Sequence, residues 1–300
     1  MRRKRHSSPA AITERRNPAT TEMDAGDTLS ILRLIHEQDA LVPGAVKAQI
    51  PNIARAVDAA VRAVRGGGRI FYVGAGTSGR LGVLDAAECP PTFGVSSETV
   101  QAVIAGGQRA LIEAAEAAED DRGQGHRDLA ARKVGPRDIV IGLAASGRTP
   151  YTIGALQYAR SRRATTVAIT SNPGSPITRA ARIAIVPATG PEVLSGSTRM
   201  KAALAQKMIL HMFSTAAMVR LGHVYKNYMV GVRPTNRKLV ERARGIIAAL
   251  TGVDSRAAAR VLRSSGNDVK VALVMLLQGL DRAAAKKLLR RHGGNLRAIE

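Results

Sequence analysis

The stretch Gly68–Pro91, GRIFYVGAGTSGRLGVLDAAECPP, decides the fold. Arg69–Val73 is a short apolar run rich in β-branched and aromatic residues and reads as a buried strand. It turns through GAGTSGR (Gly74 to Arg80) into an Ala- and Leu-bearing helical pattern over about 78–89, with Pro90 and Pro91 placed to stop it. A strand that passes through glycines straight into a helix opens a βαβ unit. The same alternation recurs downstream: strands are predicted at Val100–Ile104, Ile139–Leu143, Thr165–Thr170 and Ile183–Pro187. Helical patterns lie between or after them at about 108–121, 150–162, 174–181 and 198–221. The expected fold class is therefore α/β, a doubly wound parallel five-stranded sheet covered on both faces. In such sheets ligands sit beyond the carboxyl ends of the strands. Both GAGTSGR and a second loop, ASGRTP (Ala145 to Pro150), fall there.

Working outward, Thr28–Gln38 and Ile53–Arg65 read as N-terminal helices. The first follows Asp27 as N-cap and the second is stopped by Gly66–Gly68. Residues 1–20, basic and broken by Pro9 and Pro18, read as a flexible arm. Beyond about residue 240, the stretches Arg242–Leu250, Ser255–Ser264, Val269–Leu277 and Asp281–His292 read as short helices. They form a small all-helical module with a mini-core of Val261, Leu262, Val271, Val274, Leu276 and Leu289. The expected domains are 1–20, 21–240 and 241–300.

The 300-residue chain is 45% apolar, which excludes disorder, and has one cysteine, Cys89, which excludes an internal disulfide. The charged N-terminus MRRKRHSSPAAITERR has no apolar core behind it, so it is no secretory signal, and apolar runs fall short of a membrane span. A soluble cytoplasmic protein is expected, with no membrane partner. The net charge of +22 raises the question of nucleic acid. Aromatics are only 3%, and the arginines are spread along the chain, so a solvated surface is the better reading. The charge also favours a doubly negative small molecule.

GAGTSG fits the dinucleotide pattern GxGxxG, but that site needs an acidic residue at the end of the second strand. Here the second strand ends in Ile104-Ala105-Gly106-Gly107. A phosphate monoester fits better, because backbone amides at a helix N-terminus bind anions and small hydroxyls add donors. Thr77, Ser78 and Gly79 in the first loop, and Ser146, Gly147 and Thr149 in the second, supply that chemistry. There is no GxxxxGK[ST] and no GxSxG. The six histidines lack metal-ligand spacing, so no metal is expected. Carboxylates remain for the chemistry. Glu88 is expected in the last turn of its helix, where the helix dipole and partial burial would favour the protonated form. Glu119 lies in EAAEDDR at the end of the next helix; it is a second candidate carboxylate, although spacing alone favours a solvated acidic helix end. Glu192, in GPEVLSGSTRMK, stands just before a helix start.

The loops GAGTSG and SGRT, with TERRNPAT, ECPPTFGV, LIEAAEAAEDDR, SNPGSP, PEVLSGSTRMKA and YMVGVRPTNRKL, resemble the sugar isomerase (SIS) domain family. More narrowly, they resemble its N-acetylmuramic acid 6-phosphate etherases. The likeness runs from about residue 13 to 240, and the helical tail fits that family's C-terminal module. It implies cleavage of a lactyl ether by β-elimination and hydration, in the recycling of cell-wall amino sugars, by a homodimer without cofactor or metal. It assigns proton donation to Glu88 and a second functional carboxylate to Glu119. Ser78, Ser146 and Thr149 would contact the phosphate, supported by Thr77 and the loop glycines. Glu192 and Ser197 become contacts to the sugar or to a neighbouring subunit. The alternative the family offers is a non-catalytic sugar-phosphate sensor in a regulator, although no helix-turn-helix precedes the first strand.

Overall fold

A computed structural model describes residues 11–299. The chain forms two compact units, one made of residues up to Asp85 with Val100–Phe213, the other of Ala86–Thr99 with Ser214 onward.

The first unit opens with α1 (Thr28–Asp39), α2 (Val42–Lys47) and α3 (Ile50–Arg65). Asp27 caps α1 by accepting from Ser30 N, as its sequence predicts. In α3, Ile53, Val57 and Val61 recur at one helical face and are buried. The βα alternation follows: β1 (Ile70–Gly74), α4 (Gly76–Phe93), β2 (Val100–Ile104), α5 (Glu116–Glu119), α6 (Arg122–Ala131) and β3 (Ile139–Leu143). It continues through α7 (Pro150–Ser161), β4 (Thr165–Ile169), α8 (Pro176–Ala180), β5 (Ile183–Ile185) and α9 (Lys201–Arg220). All five strands are parallel, in the order β2-β1-β3-β4-β5. Every residue of β1 and β3 is buried, which is why these strands are continuous apolar runs rather than alternating ones. Phe71, Val73, Val140, Leu156 and Ile177 centre the core between sheet and helices. Each such side chain contributes roughly 1.5–3 kcal/mol on burial.

This strand order positions the site. The chain leaves β1 toward β2 on one side and returns through β3 toward β4 on the other, so the loops after β1 and β3 diverge. That is a topological switch point, and Gly74 pairs with Leu143 at its base.

Three expectations need correction. Residues 11–20 are not a free arm: Thr13, Asn17 and Thr20 are buried, and Thr20 Oγ1 donates to Val193 O at 2.8 Å. The basic residues 1–10 lie outside the described part. Second, α4 runs through Pro90 and Pro91 to Phe93. Each proline lacks the N–H that would bond four residues back, so α4 gives up two bonds in its last turn and ends two residues beyond Pro91. Third, the helix expected at about 108–121 is a 3₁₀ segment, Gly107–Leu111, and the short α5, while α6 was not foreseen. Gly123 and Gly125 weaken the helical signal of α6, and Asp121 starts it by accepting from Gln124 N.

Helix α9 is the one helix among the described residues long and apolar enough to cross a membrane by length and composition. Over half of that apolar window (56%) is buried inside the fold.

In the second unit, α10 (Arg237–Thr251), α11 (Ser255–Ser264), α12 (Val269–Gln278) and α13 (Arg282–Arg291) enclose a separate core. It includes Ile247, Leu262, Val271, Val274 and Leu289. Asn236, Asp254, Asp268 and Asp281 each cap one of these helices, and Gly252 and Gly279 end two of them in the left-handed conformation.

Candidate phosphosugar site

The loops after β1 and β3 enclose a cavity of about 290 Å³, all of whose lining belongs to the first unit. Thr77, Ser78, Ser146 and Thr149 line it, so the hydroxyls picked out in the two loops converge. Thr77 and Ser78 stand in the first turn of α4, where unpaired amides and the positive end of the helix dipole favour an anion. Thr149 is the N-cap of α7 but makes no capping hydrogen bond, which leaves its hydroxyl for a ligand. At the tip of the second loop, the amide of Arg148 donates to Ser146 Oγ at 3.2 Å.

Gly79 and Gly147 shape the site without lining it. Gly79 N donates to Ala75 O at 3.0 Å, and a Cβ on Gly79 would lie 2.6 Å from Ile104 Cγ1 and 2.9 Å from Gly74 O. Gly79 therefore lets α4 press against the ends of β1 and β2. Gly147, at φ +67°, leaves room for Thr170 and Ser175, whose side chains a Cβ would strike.

Glu119, the last residue of α5, joins the hydroxyls in the cavity wall. Partial burial raises its pKa above the ordinary glutamate value, and the neighbouring charges of Asp120 and Glu116 push the same way, against the pull of Arg80. Arg80 holds the loop that leads to α5, its Nε donating to Ala110 O at 2.9 Å and its Nη2 to Glu113 O at 2.8 Å. The arrangement sets four hydroxyls and the N-terminal turn of α4 beside one carboxyl, a combination with the chemistry to hold an anion and exchange a proton.

The remaining predicted residues fall elsewhere. Glu88 is exposed, belongs to the second unit and is not among the residues lining the cavity. It precedes the end of α4 by more than a turn, so neither the burial nor the helix-end position expected for it is present. Glu192 is fully buried, and its two oxygens accept from Lys201 N at 2.8 Å and Ala202 N at 3.0 Å, so it caps α9 rather than reaching the cavity. Burial raises its pKa, while those two amides and the Lys201 charge oppose the rise. Ser197 sits between two lining residues, Gly196 and Thr198, and its amide donates to Leu194 O at 2.9 Å. Sequence reasoning missed Arg80, Glu116 and Glu14, all of which line the cavity. Glu14 lay inside the stretch TERRNPAT but was hidden by the assignment of residues 1–20 to an arm. Among the described residues no group of three or more His, Cys, Asp or Glu could hold a metal ion.

Residues 52–160 match the glucokinase regulatory protein N-terminal SIS domain, and residues 121–216 match the SIS domain. A phosphoheptose isomerase from Francisella tularensis shares the fold, with a TM-score of 0.50 and 19% identity, over 65% of this chain and 100% of that one. The N-acetylmuramic acid 6-phosphate etherase of Salmonella typhi is 54% identical over 266 residues, covering 89% of this chain and 90% of the relative. That of Yersinia pestis (strain Pestoides F) is 54% identical over 289 residues, 96% of this chain and 98% of the relative. With identity sustained over nearly the full length of both chains, this protein belongs to the N-acetylmuramic acid 6-phosphate etherase family.

Proposed function

We propose that the chain is a carbon–oxygen lyase that cleaves the D-lactyl ether of N-acetylmuramic acid 6-phosphate, giving N-acetylglucosamine 6-phosphate and D-lactate. The observation that carries this reading is the convergence of Thr77, Ser78, Ser146 and Thr149 with Glu119 in one cavity. The names of relatives 54% identical supply the substrate.

In the open-chain sugar the aldehyde acidifies the proton on carbon 2. A carboxylate removes it, the carbon 3–oxygen bond breaks, and lactate leaves with a proton. Water then adds across the new double bond, its hydroxyl to carbon 3 and its proton to carbon 2. Elimination and hydration exchange the lactyl ether for a hydroxyl with no net oxidation, so the reaction asks for acid–base groups rather than a redox cofactor. With the phosphate in the hydroxyl cradle, Glu119 is the carboxylate beside it, and its raised pKa makes it a stronger base than an exposed glutamate. Glu88 takes the proton-donor role on the strength of the family resemblance. Glu192 and Ser197 support the site through the segment that joins β5 to α9.

The same reading makes the protein a cytoplasmic homodimer in the recycling of cell-wall amino sugars. Leu29, Leu32, Leu41 and Ile50, all exposed on or beside the N-terminal helices, are the apolar surface that a second copy would cover. The test is to incubate the purified protein with the 6-phosphorylated muramic sugar and measure lactate. Binding without lactate release would sink the lyase reading and favour a sugar-phosphate sensor.

A further inference from the structure

We propose that Glu14 is the residue that holds the hydroxyl-bearing chain of the bound sugar phosphate. The inference rests on the phosphosugar reading of the cavity and adds a residue to it. Glu14 lines the same cavity as Thr77, Ser146 and Glu119. Its carboxylate stands against Gly196, where an added Cβ would lie 3.0 Å from Glu14 Oε2.

The backbone around Glu14 is fixed to both walls of the site. Thr13 is fully buried; its N–H donates to Asn172 Oδ1 at 3.4 Å, and Asn172 Nδ2 donates to Thr13 Oγ1 at 3.1 Å. The same Asn172 Nδ2 donates to Ala145 O at 2.9 Å, which ties Thr13 to the second phosphate loop. On the other side, Gly196 N donates to Thr13 O at 3.0 Å and Ser195 Oγ to Glu14 O at 3.2 Å. Ordering so short a segment from two loops costs conformational entropy, and a purely surface carboxylate would not need it.

Among the described residues no arginine or lysine forms an ion pair with Glu14, so its acceptor positions are open. A carboxylate repels the phosphate and attracts hydroxyl donors. The ligand is thus oriented, with its phosphate in the hydroxyl cradle and its hydroxylated carbons toward Glu14. Glu14 is a binding and specificity residue, whereas Glu119 moves the proton.

The experiment is calorimetric titration of the full-length protein with N-acetylglucosamine 6-phosphate and, separately, with inorganic phosphate, for wild type, Glu14→Ala and Glu14→Gln. Glu14→Ala should weaken sugar-phosphate binding about 10- to 100-fold, the loss expected for one or two hydrogen bonds to a charged group. Inorganic phosphate should bind all three equally. Glu14→Gln should recover part of the loss, because its amide oxygen still accepts. Equal weakening of both ligands would mean a structural role and overturn the proposal, as would unchanged affinity for both. If wild type binds phosphate but not the sugar phosphate, the phosphosugar reading itself fails and this inference falls with it.

Discussion

A side chain on Gly76 would place its Cβ 2.8 Å from Glu119 Oε1, so the first residue of α4 and the last residue of α5 share one small volume. The carboxyl proposed to move the proton is therefore packed directly on the turn proposed to hold the phosphate. Gly76 also sits at φ +51°, where a side chain costs roughly 1–2 kcal/mol. Gly76→Ala should displace Glu119 and lower kcat by about tenfold or more, since small misplacements of a reacting group are expensive. The variant should stay folded by circular dichroism. Wild-type kcat in this variant would show that the contact is incidental.

Glu119→Gln should lower kcat by about 10²–10⁴, the usual worth of general acid–base help, with sugar-phosphate binding retained. A pH series adds a check on sign. The folded-state pKa of Glu119 is raised by burial and by acidic neighbours, so its contribution to stability is present below the unfolded value and lost as pH rises through the folded one. Glu119→Gln should accordingly melt higher than wild type at neutral pH, with the advantage shrinking as pH falls below the ordinary glutamate value of 4.5. A lower melting temperature at neutral pH would contradict the cause assigned to the shift.

Much of this was legible in the sequence because local chemistry and tertiary role coincide. The runs around Tyr72 and Ile141 are apolar throughout because β1 and β3 are covered on both faces. Thr77 and Thr149 stand where strands pass into helices, and both line the cavity. What failed to show were features that depend on distant partners. Glu14 reaches the site because Asn172, Ser195 and Gly196, all far along the chain, hold Thr13 and Glu14 in place. Glu192 was read as a ligand contact since nothing local reveals that the α9 amides of Lys201 and Ala202 occupy both its oxygens. Glu88 reads from the sequence as partly buried in the last turn of its helix, but it is exposed and α4 continues past its prolines.

The buried Glu192–Lys201 arrangement predicts a stability effect remote from chemistry. Lys201 is buried, and its Nζ donates to Gln38 Oε1 at 3.1 Å, so removing the carboxylate leaves a buried ammonium with less to balance it. Glu192→Ala should destabilise the fold by about 1–3 kcal/mol in a urea titration, the cost of leaving the buried α9 amides uncapped. Glu192→Gln should cost less, since its amide oxygen can still cap α9. Equal stability of Glu192→Ala and wild type would refute the capping role.

Loss of hydroxyls from the cradle should act on binding. Ser146→Ala and Thr149→Val should each raise KM about 10- to 100-fold, with a smaller effect on kcat, because each removes a hydroxyl proposed to donate to a doubly charged phosphate. A change confined to kcat would place the phosphate elsewhere.

Glu88→Gln tests the role that family resemblance gives to an exposed residue. Its turnover should fall at least about 100-fold while sugar-phosphate affinity stays near that of wild type. Near-normal turnover would remove Glu88 from the mechanism and leave the acid to be sought among the cavity's own carboxylates.

The most direct measurement is enzymatic determination of D-lactate released from N-acetylmuramic acid 6-phosphate, with sugar consumption followed in parallel. Wild type should release one lactate per sugar consumed, and Glu119→Gln should release almost none while still binding the product sugar phosphate. Tight binding by the wild-type protein with no lactate formed would contradict the assignment of ether cleavage to this cavity.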